Sequence, residues 1–228
     1  METTLHRQLK HHYAGTRGDQ EVRVGGFRID IVIGRKLVEI QHSSLGSLRH
    51  KVRELLKTHS VEVIKPIIAR KRLRVLDEKE GETVSQRWSP KRCSELDLFH
   101  ELIYFTDVFP NKRLSLRVPL IEIEEIRFPF KRRNLRRKQF KVQDQQLLAI
   151  NEERVYRTLG DLCGHLPASL PEVFGTGELA DNLGIPRWFA RRIAYCLRET
   201  GAAHIAGKSG NCLLYQLRRG LSGQRTAG

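Results

Sequence analysis

Three carboxylates, Glu21, Asp30 and Glu39, recur at nine-residue steps through an apolar, β-branched stretch, EVRVGGFRIDIVIGRKLVEIQ. Carboxylate oxygens brought together can seat a divalent cation, and Mg²⁺ is commonly held by one or two of them plus substrate phosphate. Turn length decides whether they meet. If Gly34-Arg35 is a two-residue hairpin loop, Ile33 pairs with Lys36 and Asp30 stands opposite Glu39. If Gly25-Gly26 is another, Val24 pairs with Phe27 and Glu21 stands opposite Asp30, with Arg28 and Gln41 paired two positions further along. Opposed Cβ atoms lie about 4.5–5.5 Å apart, so like charges there repel. At an effective dielectric near 20 and about 5 Å, each pair costs roughly 3 kcal/mol before screening. Compensation comes either from Arg23, Arg28 or Lys36 on a solvated face, or from a metal. For all three acids, beside the polar pair Glu39-x-Gln41, the metal is the favoured reading.

The elements that must position this row follow from periodicity. Residues 4–14, TLHRQLKHHYA, place Leu5, Leu9 and Tyr13 at four-residue steps, the mark of a short amphipathic helix. EVRV, FRIDIVI and KLVEIQ read as a three-stranded antiparallel meander. Residues 44–59 carry Leu45, Leu48, Val52, Leu55 and Leu56 on one side of a helix. This helix leads into VEVIKPI, a short strand broken by Pro66 and expected to lie parallel to its predecessor in one sheet. KRLRVLD and ETVSQRW suggest an outlying hairpin around residues 78–81, ELDLFHELIYFTDVF a helix over 95–109 stopped by Pro110, and LSLRVPLIEIEEIRF a further strand.

Composition bounds the partners. The chain has 228 residues and a formal net charge of +15, from 41 Lys+Arg against 26 Asp+Glu. Such a surface attracts phosphates and releases counterions on binding, which makes nucleic acid the first candidate over a membrane surface. No apolar run approaches the roughly 18 residues that suggest a membrane span, and METTLHRQLKHHY lacks an apolar signal core. Cys93, Cys163, Cys196 and Cys212 form no C-x-x-C and read as reduced, structural thiols. A cytoplasmic, bacterial-type protein is expected, and a homodimer is compatible with the sequence.

RIDIV followed by KLVEIQ, an Asp on one strand and Glu-x-Gln on the next, with an amphipathic helix and a parallel strand behind them, resembles the PD-(D/E)XK nuclease superfamily over residues 1–125. The resemblance implies an α/β fold, a restriction-endonuclease-like mixed sheet with flanking helices. It also implies Asp30 and Glu39 as ligands of Mg²⁺ or Mn²⁺, the backbone carbonyl of Ile40 as another oxygen, and Glu21 as a further ligand. Gln41 occupies the place usually held by a catalytic lysine; it can hydrogen-bond a water or phosphate but carries no positive charge. Lys51, on the edge of the following helix, is the substitute expected from a neighbouring element, with Lys10 or His6 on the first helix behind it. The implied chemistry is phosphodiester hydrolysis, the cation lowering the pKa of a water and stabilising charge on the phosphate. A catalytically inactive nuclease-fold protein that binds or regulates at DNA is the alternative.

KRRNLRRKQFK, residues 131–141, carries seven basic residues and no acid, and suggests a boundary between domains. The expected organisation is a nuclease-like domain over 1–130, a basic linker over 131–144, a second domain over 145–219 and a disordered tail over 220–228. In the second domain a helix is expected over 145–163. TGELADNLG, with Thr176 as N-cap, and PRWFARRIAYCLRETG follow as helices, then a hairpin tipped by Lys208-Ser209-Gly210. Helix-turn-helix followed by a β-hairpin is the layout of a winged helix. Trp188, Phe189, Ile193, Cys196 and Leu197 are expected to pack inward. Arg187, Arg191 and Arg192, with Lys208 on the wing, are the expected DNA contacts. This coupling of domains is similar to an uncharacterised bacterial family of nuclease-like proteins. The histidines offer no zinc-type spacing with cysteine, and no P-loop or dinucleotide glycine pattern occurs.

Overall fold

The computed structural model describes residues 3–130, 139–218 and 220. The chain divides into two compact units, residues 1–42, 63–95 and 117–154 in one and 43–62, 96–116 and 155–228 in the other. It is a mixed α/β protein, and among its described residues no helix is long and apolar enough to cross a membrane.

Helix α1, Thr4–Ala14, begins where the Thr3 side chain accepts a hydrogen bond from the His6 N–H at 3.3 Å. Strands β1 (Asp19–Val24), β2 (Phe27–Ile33) and β3 (Lys36–Ile40) form the expected antiparallel meander. Gly25 and Gly26 both take positive φ, 56° and 83°, as a I′ turn requires, and Gly34 turns the second hairpin at 59°. Leu5 and Leu9 of α1 are buried in one apolar cluster with Ile31, Val38 and Ile40 of the meander, so the four-residue spacing marks the helix face that packs.

The 44–59 segment is a 3-10 turn, Leu45–Leu48, continued by α2, Arg49–Leu55. Its Leu45, Leu48, Val52, Leu55 and Leu56 are all buried, as the periodicity demands. Strand β4 (Ser60–Ile64) follows, and after Pro66 comes β5 (Ile67–Leu76), then β6 (Thr83–Trp88), paired antiparallel with β5 from Arg72↔Trp88 to Leu76↔Thr83. That hairpin is no outlier: β5 runs parallel to the long β7 (Leu114–Phe130), and the sheet order is β1-β2-β3-β4-β7-β5-β6. The helix expected over 95–109 is shorter, a 3-10 turn Glu95–Leu98 and the single-turn α3, Phe99–Leu102.

The largest departure follows. The helix expected over 145–163 is instead β8, Gln139–Tyr156, paired with β7, and only then α4, Leu159–Cys163. VQDQQLLAINEERVY is rich in good helix formers, but pairing beside β7 outweighs local propensity. Leu147 and Ile150 pack against the α1 cluster, and the Leu147 N–H donates to Gln8 Oε1 at 2.8 Å. Residues 139–144, expected in a linker, are therefore sheet; 131–138, with most of the basic run, lie outside the described residues, as do 221–228 of the expected tail.

In the second unit β9 (Val173–Phe174) precedes α5 (Thr176–Leu183) and α6 (Arg187–Glu199), and β10 (Ala203–Ser209) returns as β11 (Cys212–Leu217), which also pairs with β9. Gly175, not Thr176, is the N-cap of α5: its N–H donates to Glu178 Oε2 at 3.0 Å, closing the turn from the other end of the box. Cys163 and Cys196 are buried, and burial pushes the Cys196 thiol up to about 12, which makes it an inert packing group.

Candidate functional site

The strand registers around the three acids are those the turns predict, and the Glu21 carboxylate is taken up by protein cations. The β1–β2 pairs Val22↔Ile29 and Gln20↔Ile31 flank Glu21 and Asp30, which confirms the expected register. Glu21 itself takes φ 59°, a strained value for a residue with a Cβ, and its carboxylate is bonded to Lys10 of α1 and to Arg28 of β2. Lys10 is only 3% exposed, so Glu21 is the counter-charge of a buried ammonium. Burial works to raise the Glu21 pKa, but Lys10 and Arg28 outweigh it and hold the carboxyl below its ordinary value. The repulsion that the sequence implies is thus met at Glu21 by protein cations.

Asp30 behaves differently. The β2–β3 pairs run Ile33↔Lys36, Val32↔Leu37 and Ile31↔Val38. Beyond them Asp30 Oδ2 accepts the Ile40 N–H at 2.8 Å, a side-chain bond at the end of the strand pair. Its Oδ1 lies 3.3 Å from His6 Nε2. Ile40 therefore meets Asp30 through its N–H. On β3, Glu39 is 3% exposed, a carboxylate taken almost wholly out of water in the same hairpin. Burial of that kind is expensive unless charge is offset nearby.

Gln41 follows β3 directly, half-buried, and its N–H donates to the Ile64 carbonyl of β4 at 2.9 Å. The next residue of β4's chain is Lys65, 3% exposed, whose ammonium donates to the His42 carbonyl at 3.1 Å. Burial first, then the His6 and Lys65 charges, hold the His42 imidazole below its ordinary pKa. Sequence reasoning passed over Lys65. Its signal was a lone lysine inside the apolar run VEVIKPI, where a charge is costly. Lys51, the expected substitute, lies half-buried on α2 in the second unit. Lys10 is committed to Glu21, and His6 to Asp30.

For a metal, the donors divide accordingly. Among the described residues no three His, Cys, Asp or Glu side chains stand together as a group able to hold an ion. Asp30 and Glu39 supply carboxylate oxygens, and a Mg²⁺-type ion needs only one or two when waters and a substrate phosphate complete its shell. Among the described residues there is no all-protein cage for an ion.

On α6, Arg187 and Arg191 are exposed. Arg192 is half-buried and donates from Nη1 to His100 Nδ1 at 2.6 Å, so it is committed within its own unit. Lys208, exposed on β10, pairs with Leu213 one step below the Ser209↔Cys212 pair at the hairpin tip. Phe189, Ile193, Cys196 and Leu197 are buried as expected, whereas Trp188 is 58% exposed. One residue is about 100° around a helix, and that step carries the indole off the inward stripe.

The chain matches the family model described as a domain of unknown function, DUF8091, over residues 3–157. It is also similar to an uncharacterized protein of Treponema pallidum (strain Nichols), 33% identical over 217 residues that cover 94% of this chain and 85% of the relative. No solved structure matches it. The family match runs from the residue before α1 to one residue past the end of β8, so it takes in the acidic hairpin and all eight strands of the large sheet. This chain belongs to the DUF8091 domain family.

Proposed function

We propose that the chain is a divalent-cation-dependent nuclease of the PD-(D/E)XK type, acting on phosphodiester bonds of nucleic acid, most readily DNA. The observation that carries the reading is the placement of Asp30 and the buried Glu39 on adjoining strands of one hairpin, beside the chain that continues into Gln41. Asp30 and Glu39 would hold Mg²⁺ or Mn²⁺ together with a substrate phosphate, and the ion would supply charge neutralisation and an acidified water. His6 fixes one Asp30 oxygen, and the Ile40 N–H fixes the other, so the carboxylate is oriented before the ion arrives. Lys65 takes the part of the missing lysine, because it is the buried ammonium of the same unit nearest in bonding to the Gln41-His42 segment. Residues 158–217 form a winged helix that docks DNA through α6 and the β10–β11 hairpin, with Arg187, Arg191 and Lys208 on phosphates.

A second reading keeps the fold and the docking but not turnover. It is favoured by Glu21, whose charge is already met by Lys10 and Arg28, and by Gln41. A cleavage panel separates the two: linear, branched and single-stranded DNA and RNA with Mg²⁺ or Mn²⁺, wild type beside Glu39→Ala. The nuclease reading requires cleavage by wild type that falls at least a hundredfold, about 2.7 kcal/mol of barrier, in the variant. Equal cleavage by both rejects the site, and binding without cleavage by either selects the second reading.

A further inference from the structure

We infer that Trp188 is a stacking platform for an unpaired base, so that the nucleic acid held on α6 is single-stranded or locally open. The inference rests on the docking reading above. Two near-parallel rings orient the indole: its centroid lies 5.6 Å from His100 at 19° and 5.6 Å from Phe189 at 29°, while His100 and Phe189 stack on each other at 4.2 Å and 15°. Arg192 locks His100 through its 2.6 Å bond and sits 6.0 Å from the indole centre. An aromatic side chain held this firmly, yet 58% exposed, has already lost the rotamer freedom that binding would cost.

Its surroundings select the partner. Arg187 and Arg191 are exposed on the same helix, one residue before and three after Trp188, and Tyr195, 38% exposed, lies two turns on with Arg198 5.4 Å over its ring. The sole acid of α6 is Glu199 at its far end, and Arg198 holds it at 2.9 Å. A basic face with interleaved aromatics suits a strand whose phosphates meet arginine while its bases stack. Duplex DNA offers its grooves the edges of bases rather than their faces, so an exposed indole gains most from bases that are unpaired. Trp188 and Tyr195 are two helical turns apart, about 10 Å at 1.5 Å rise per residue, the length of roughly three stacked nucleotides at 3.4 Å each.

The test uses the full chain in EDTA, which removes cation and cleavage from the measurement. The ligands are a fluorescent oligothymidylate and a hairpin duplex of equal charge. Trp188→Ala is expected to weaken single-strand binding roughly 5- to 150-fold, the range for loss of one stacked base, and to change duplex binding less than about twofold. Trp188→Phe, which keeps a ring, should retain most of the affinity. In a Trp88→Phe background Trp188 is the remaining tryptophan of two, and single strand should quench it where duplex does not. Unchanged single-strand affinity in Trp188→Ala, or equal losses for both ligands, overturns the inference. If Arg187→Glu with Arg191→Glu weakens binding while Trp188→Ala does not, docking stands and only the stacking platform fails. If none of these substitutions changes binding, the docking reading fails and takes the platform with it.

Discussion

Lys10 shows how much of the site depends on one side chain that the sequence leaves ambiguous. Its place on the helix is legible, but its role is not, because the partner Glu21 comes from a strand whose approach to α1 is set by packing. The acidic triplet and its register could be read from two turn lengths; the division of labour among the acids could not. Removing one member of a buried pair leaves the other charge uncompensated, a loss of up to several kcal/mol, reduced where a partner is partly solvated. With the Glu21 side chain 29% exposed, Glu21→Gln is expected to cost about 2 kcal/mol in urea unfolding, and Lys10→Met in the same chain to recover most of it. An additive double variant would show that the pair is not coupled.

At the scale of elements, the meander, α1, the buried stripe of 44–59 and the C-terminal helices were legible because each buries one face at a regular period. β8 was not, since Gln, Leu, Ala and Glu favour helix locally and the reason for a strand is a distant neighbour, β7. Leu147→Pro tests whether this segment is an ordered, packed element: proline removes the N–H that donates to Gln8 and should cost about 3 kcal/mol or more in urea unfolding, whereas in a free linker it would cost almost nothing. The start of α4 gives a titratable example. Asp161 accepts the N–H groups of Arg157 and Thr158, both at 2.7 Å, in a capping box with Thr158. Burial acts to raise its pKa, but these bonds prevail and lower it. A carboxyl lowered by folding adds stability that is full above the unfolded value near 3.8 and is lost as pH falls through the folded value. Asp161→Ala should therefore cost about 1 kcal/mol at pH 7 and progressively less below about pH 4, measured by urea midpoints across that range.

For the whole molecule, the formal net charge of +15 gives attraction to polyanions, while specific residues decide what is done with them. The boundary expected near the basic run came from composition; the described strands on either side of that run, β7 and β8, pair with each other. Charge that acts through phosphates must show in salt: replacing Arg187 and Arg191 together should lower the slope of log affinity against log salt by about two, whatever the sequence bound. The central claim is narrower, that Asp30 and Glu39 take a cation together with a nucleic-acid phosphate. Calorimetric titration of Mn²⁺ into the full chain, alone and with a bound non-cleavable phosphorothioate oligonucleotide, measures it most directly. The account predicts at least a tenfold gain in Mn²⁺ affinity with the oligonucleotide, about 1.4 kcal/mol of coupling, abolished in Glu39→Gln. Mn²⁺ affinity that is the same with and without the oligonucleotide, or unchanged in Glu39→Gln, would contradict it.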